Sequence, residues 1–164
     1  MTMLNDGEPA VISVSWWIDE WNDYIFAVVD AFMGRYPNIM VDTLVFPYDD
    51  WRNITTLMIA AGDMPSILLL DYDKIRLIAY EWGAIDLLYD LHEFSSILDL
   101  SDYPQDWPDL MTVDGILAAV PGLRSTDVGD MIPQQGFAIS GYTQNPELSA
   151  YFLNFLFNDF LILP

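Results

Sequence analysis

Apolar and polar positions along the chain switch between period-2 and helical spacing in a regular order. AVISVSWW (10–17) is apolar, β-branched and closed by two tryptophans, which predicts a buried strand. In DEWNDYIFAVVDAFMGRYP the residues Trp21, Ile25, Val28 and Phe32 recur at helical spacing. Asp19 can cap that helix, and Gly34 with Pro37 mark its end. NIMVDTLVF (38–46) predicts a second strand. DDWRNITTLMIAAGDMP predicts a second helix with Trp51, Ile54, Leu57 and Ala61 on one face, stopped by Gly62 and Pro65. SILLLD (66–71) is continuously apolar, as a strand covered on both faces must be.

A βαβαβ alternation predicts an α/β fold: a mainly parallel sheet with right-handed crossovers, helices above and below it in three layers. A third helix is expected around 73–82, with Ile75, Ile78 and Ala79 inward and Gly83 at its end. Past IDLLYDL the texture changes. LSDYPQDWPDLMTVDGILAAVP is rich in Asp and Pro and predicts short helical turns plus one short strand. GFAIS (136–140) is strand-like again. The final helix places Asn145 as N-cap, Pro146 at the first helical position, and Leu148, Phe152, Phe155 and Leu156 in its apolar stripe. The organisation expected is a tail over 1–9, an α/β core over 10–120, a connecting loop over 121–135, and a returning strand and helix over 136–164.

Composition changes this picture in few places. Hydrophobic residues make up 53% of the 164, which excludes global disorder. Twenty-five acidic residues face five basic ones, for a net charge of −20. A nucleic-acid partner would need a basic patch and an anionic membrane a basic face, and neither is present. The acidic excess reads first as solubility. DYD (71–73) lacks calcium-loop spacing, so no metal is expected, and no cofactor is implied. There is no cysteine, hence no disulfide or thiolate chemistry. No basic segment followed by an apolar one opens the chain, so no signal peptide is expected in it. No apolar run approaches the length of a membrane span.

Several segments together resemble a known family. They are ISVSWW, DAFMGRYPNIMVDT, WRNITTLMIAAGDMPSILLLD, GAIDLLYDL, VDGILAAVP and IPQQGFAISGYTQNPELSAYFLNFLFND. Their order resembles that of the extracellular solute-binding proteins of ATP-binding-cassette importers, in the branch that mostly binds sugars. The resemblance implies a periplasmic-binding-protein-like lobe with a strand order beginning 2-1-3. It also implies an extracellular or periplasmic location, a sugar or oligosaccharide ligand and a membrane permease as partner. In that family two lobes close on the ligand, A-V-P leads out to the second lobe and G-F-A-I-S marks the return. Here only GLRSTDVGDMIPQQ separates the two. The expectation is therefore a first lobe alone, binding weakly because one wall of the cleft is missing. A compact flavodoxin-like domain unrelated to that family is the competing reading. A bared cleft wall implies an apolar patch and opens a route to a homodimer.

Ligands of open parallel sheets bind beyond the carboxyl ends of the strands, at the switch in strand order. Those ends gather Trp16, Trp17, Tyr48, Asp49, Trp51, Asp71 and Tyr72. Aromatic faces suit the C–H face of a sugar, and carboxylates suit its hydroxyls. Each candidate also has a purely structural role open to it. One of the adjacent tryptophans should point inward, because side chains alternate along a strand. Trp51 fits a core face, Asp71 can cap the third helix and Asp49 the second. Trp82 and Trp107 read as packing residues. The lone His92 has no catalytic companion, and Ser125 has no base in view. Asp49 with Asp71 could form the carboxylate pair of a glycan hydrolase, but so many carboxylates make such a pair easy to find. No phosphate loop is present. The expectation is a non-catalytic sugar-binding lobe. A scaffold without a ligand, by design or sequence generation, is the alternative, and a hydrolase comes third.

Overall fold

The computed structural model describes residues 3–18, 22–101, 111–121 and 135–159. The Asp19 cap, Trp21, Trp107, Ser125 and the connecting loop over 122–134 lie outside the described residues. Strand β1 is Ala10–Trp17, helix α1 Asn22–Arg35, β2 Ile39–Phe46, α2 Tyr48–Ala61 and β3 Ile67–Asp71. Helix α3, Tyr72–Arg76, runs on through one wide turn at Leu77–Glu81, and Gly83 follows at φ 58°. β4 (Thr112–Val113) and β5 (Ile116–Leu117) form a small hairpin. β6 is Val120–Pro121, β7 Gln135–Ile139 and α4 Pro146–Asn154.

The main sheet has five strands in the order β2-β1-β3-β7-β6. β1 is parallel to both β2 and β3, while β7 runs antiparallel to β3 and to β6. β6 and β7 thus lie side by side in the sheet begun by residues 10–17. This is the expected α/β lobe with strand order 2-1-3, mainly parallel, with one reversed strand.

Side-chain alternation along β1 divides the core. Ile12, Val14 and Trp16 face α1, where Trp16 meets Phe26 edge-on at 5.1 Å. Trp17 faces the other layer and meets Trp51 of α2 at 4.3 Å. On the α1 side, Phe32 joins α1 to α4 through Phe152 and Phe155 at 5.2 and 5.4 Å. Ile25, Val28 and Phe32 are buried, as are Leu148, Phe152, Phe155 and Leu156, in agreement with both predicted stripes.

Helix α2 corrects its predicted phase. Its buried residues are Trp51, Thr55 and Ile59, while Leu57 is 69% exposed. Docking of Trp51 onto Trp17 sets the rotation, and the hydroxyl-bearing Thr55 goes under while a leucine stays out. The Thr55 hydroxyl is buried with no hydrogen-bond partner among the described residues. Trp82 is also corrected: it is exposed, not packed. The expected N-terminal tail is tied down, since Asn38 Nδ2 donates to the carbonyls of Leu4 and Glu8 at 2.8 and 3.0 Å. Asn145 is the N-cap of α4, as expected, but its amide donates to the Val11 carbonyl at 3.2 Å and makes no capping bond. The hairpin turn at Asp114–Gly115 has positive φ at both residues. Asp-Gly between apolar pairs is the signal for such a turn.

Candidate functional site

The carboxyl ends of β1, β2 and β3 lie next to one another because the three strands are parallel neighbours. Five aromatic and acidic side chains meet there. Trp17 and Trp51 form the floor, 6% and 0% exposed. Tyr48, the first residue of α2, stacks on Trp51 with ring centroids 5.6 Å apart and planes at 21°. It also meets Trp17 edge-on at 5.3 Å. The Tyr48 hydroxyl donates to Asp71 Oδ2 at 3.0 Å, linking the exit of β2 to the end of β3. Asp71 Oδ1 accepts the Lys74 backbone N–H at 2.7 Å, so Asp71 caps α3 while it binds Tyr48. Tyr72 follows on the rim, and both tyrosines are exposed.

The remaining two candidates stand apart. Trp16 lies on the opposite face of β1, fully buried, with its indole N–H donating to Asn22 Oδ1 at 3.1 Å. Neither tryptophan of the adjacent pair points to solvent, since helices cover both faces of the sheet. Asp49 is exposed in the first turn of α2, and the N-cap position belongs to Pro47. Its carboxylate makes no hydrogen bond among the described residues. A carboxylate there favours the positive end of the helix.

Sequence reasoning passed over three cations of this rim. Lys74 is buried, and its ammonium donates to Thr56 Oγ1 at 2.8 Å. Burial pulls its pKa below the usual lysine value; Asp71 opposes that shift and Arg52 adds to it. Arg76 lies 5.6 Å from the centre of the Tyr72 ring and 5.9 Å from that of Tyr80. The one signal in the sequence was their scarcity, since the chain has only five basic residues and two of them stand at 74 and 76.

Burial, followed by the hydrogen bond and charge of Asp71, raises the Tyr48 phenol above its ordinary value of 10.0. A phenol whose folded pKa exceeds its unfolded one stabilises the fold fully below the unfolded value. That contribution is lost as pH rises through the folded value. Tyr24, raised by burial, acts in the same direction. Asp71→Asn is expected to bring the Tyr48 ionisation to lower pH in an ultraviolet phenolate titration. An unchanged Tyr48 titration would show that the carboxylate does not hold the phenol.

Among the described residues no group of three or more His, Cys, Asp or Glu is arranged to hold a metal, and no helix is long and apolar enough to cross a membrane.

No protein-family model and no curated protein matches the sequence. Solved structures do match. An extracellular solute-binding protein family 1 member from Alicyclobacillus acidocaldarius superposes with a TM-score of 0.62 at 24% identity, over 71% of this chain and 28% of that one. A periplasmic oligogalacturonide-binding protein from Yersinia enterocolitica, solved with saturated digalacturonic acid, gives 0.62 at 21% identity, over 68% and 27%. A de novo designed cysteine esterase gives 0.61 at 21% identity, over 69% and 27%. The chain thus spans a little over a quarter of the length of each. The resemblance carried by the sequence motifs is borne out in three dimensions: this chain has the α/β fold of one lobe of the extracellular solute-binding proteins of ATP-binding-cassette importers.

Proposed function

We propose that this chain is a non-catalytic carbohydrate-binding lobe whose half-site is Tyr48, Asp71 and Tyr72 above a floor of Trp17 and Trp51. The observation that carries it is the Tyr48–Asp71 hydrogen bond, which fixes an exposed aromatic ring beside a carboxylate at the strand ends. A sugar's apolar face would stack on the rings. Its hydroxyls would donate to carboxylate oxygen. The structural neighbour solved with digalacturonic acid supports a saccharide as the ligand class. By the same likeness, a membrane permease is the partner and the extracellular or periplasmic space the location. An exposed rim offers one wall, whereas tight sites surround most of a ligand. Binding is therefore weak unless a second wall, from another copy of the chain, completes the cleft.

Catalysis has less support. The neighbouring esterase is a cysteine enzyme by name, and this chain has no cysteine. Of the carboxylate pair, Asp71 has both oxygens engaged by Tyr48 and Lys74.

Calorimetry with mono- and disaccharides is expected to give millimolar dissociation constants at best, lost on Tyr48→Ala with Tyr72→Ala. Both side chains are exposed, so circular dichroism should show the fold intact. No saturable heat with any sugar would favour a scaffold without a ligand. Micromolar affinity in a monomer would refute the one-wall account.

A further inference from the structure

Charge is unevenly placed on this molecule, and its placement bears on which saccharide the half-site takes, given the carbohydrate reading above. Three of the chain's five basic residues, Arg52, Lys74 and Arg76, stand on α2 and α3 at the rim. With 25 carboxylates in the chain, cations should find anionic partners easily. These do not. Among the described residues no Lys or Arg lies within ion-pair distance of a carboxylate, and the one close contact of this kind sets His92 Nδ1 2.9 Å from Asp90 Oδ1.

Neutral groups hold the rim cations instead. Arg76 sits against the rings of Tyr72 and Tyr80, and no hydrogen bond among the described residues uses its N–H donors. A guanidinium over aromatic rings is held by cation–π attraction, which leaves its N–H fork free. Lys74 gives its ammonium to the Thr56 hydroxyl. Arg52 is exposed, and its charge reaches both Tyr48 and Lys74. Asp71 accepts from Tyr48 and from the Lys74 backbone N–H, and no hydrogen bond among the described residues joins it to the side chain of Arg52, Lys74 or Arg76. Exposed Asp49, Asp50 and Asp73 bring the rim near charge balance, where the whole chain stands at −20. An anion therefore meets less repulsion here than over the rest of the surface.

We propose that the rim selects a saccharide bearing a carboxylate, a uronic acid residue. Its ring lies against Tyr48 and Tyr72, and its carboxylate takes the open N–H fork of Arg76 with support from Arg52. Guanidinium and carboxylate match in a two-point hydrogen bond that an ammonium cannot copy.

The test compares D-glucuronate, its neutral methyl ester and D-glucose on the full chain at pH 7 and low salt, followed by nuclear magnetic resonance shifts of the aromatic side chains. Glucuronate is expected to bind about 2–5-fold tighter than the ester and glucose, the range an exposed ion pair supplies. Arg76→Gln with Arg52→Gln should abolish the preference, and Arg76→Lys should reduce it. Both positions are exposed, and Arg76→Gln alone serves as the readout if the double variant misfolds. Equal affinity for the acid and its ester, or a preference that survives the double variant, overturns the proposal and leaves the carbohydrate reading standing. Binding of none of the three overturns both.

Discussion

Trp16→Ala is expected to lower the free energy of unfolding by about 3–5 kcal/mol, the range for removing a large buried aromatic side chain. Trp16 is fully buried, meets Phe26 edge-on and ties β1 to the start of α1 through Asn22. The substitution removes packing from the α1 layer and leaves the Asn22 carbonyl without its donor. Urea denaturation would report it as a lower midpoint at unchanged slope. The rim residues are on the other face, so Trp16→Ala should spare sugar binding wherever the variant remains folded. A loss below about 1 kcal/mol would contradict the burial described, because a cavity of that size cannot close without moving both layers.

Gly136→Ala should cost about 1–3 kcal/mol, by overpacking and not by a cavity. A Cβ at this position would stand 2.7 Å from the Val120 carbonyl oxygen and 2.9 Å from the Ala119 Cβ. The obstacle is the backbone of β6, which cannot rotate away as a side chain can. The ladder pairing Val120 with Phe137 and Pro121 with Gly136 must therefore loosen. Amide exchange should quicken in β6 and β7 and stay slow in β1 and β2. Unchanged stability would mean that the β6 edge is free to shift.

The sheet was legible in the sequence because its strands are short, apolar and separated by helical periods. The order 2-1-3 came with the family resemblance, and the βαβαβ alternation agreed with it. Other features depended on contacts that periodicity does not contain. Alternation says that Trp16 and Trp17 face opposite ways, but only the presence of a helix on each face says that both are buried. In α2 two stripes compete, one through Leu57 and one through Thr55. The contact of Trp51 with Trp17 settles the choice against hydrophobicity. At the rim, Asp71 was readable both as a cap and as a ligand contact. One oxygen does the capping and the other holds Tyr48, a bond that the strand pattern alone does not contain. Arg52, Lys74 and Arg76 were missed because isolated basic residues on helices read as solvated surface. Their shared location appears only once α2 and α3 are folded beside β3.

The reversed strand has a kinetic consequence. β1, β2 and β3 follow one another in the chain, with residue 10 of β1 paired to residue 39 of β2 and residue 14 of β1 paired to residue 67 of β3. β7 docks residue 139 against residue 67, a longer separation than either of those. Contacts of long sequence separation are slow to form, since the intervening segment must be closed first. Refolding should therefore end with β7 and α4 arriving on a preassembled βαβαβ nucleus, and forced opening should peel them away first.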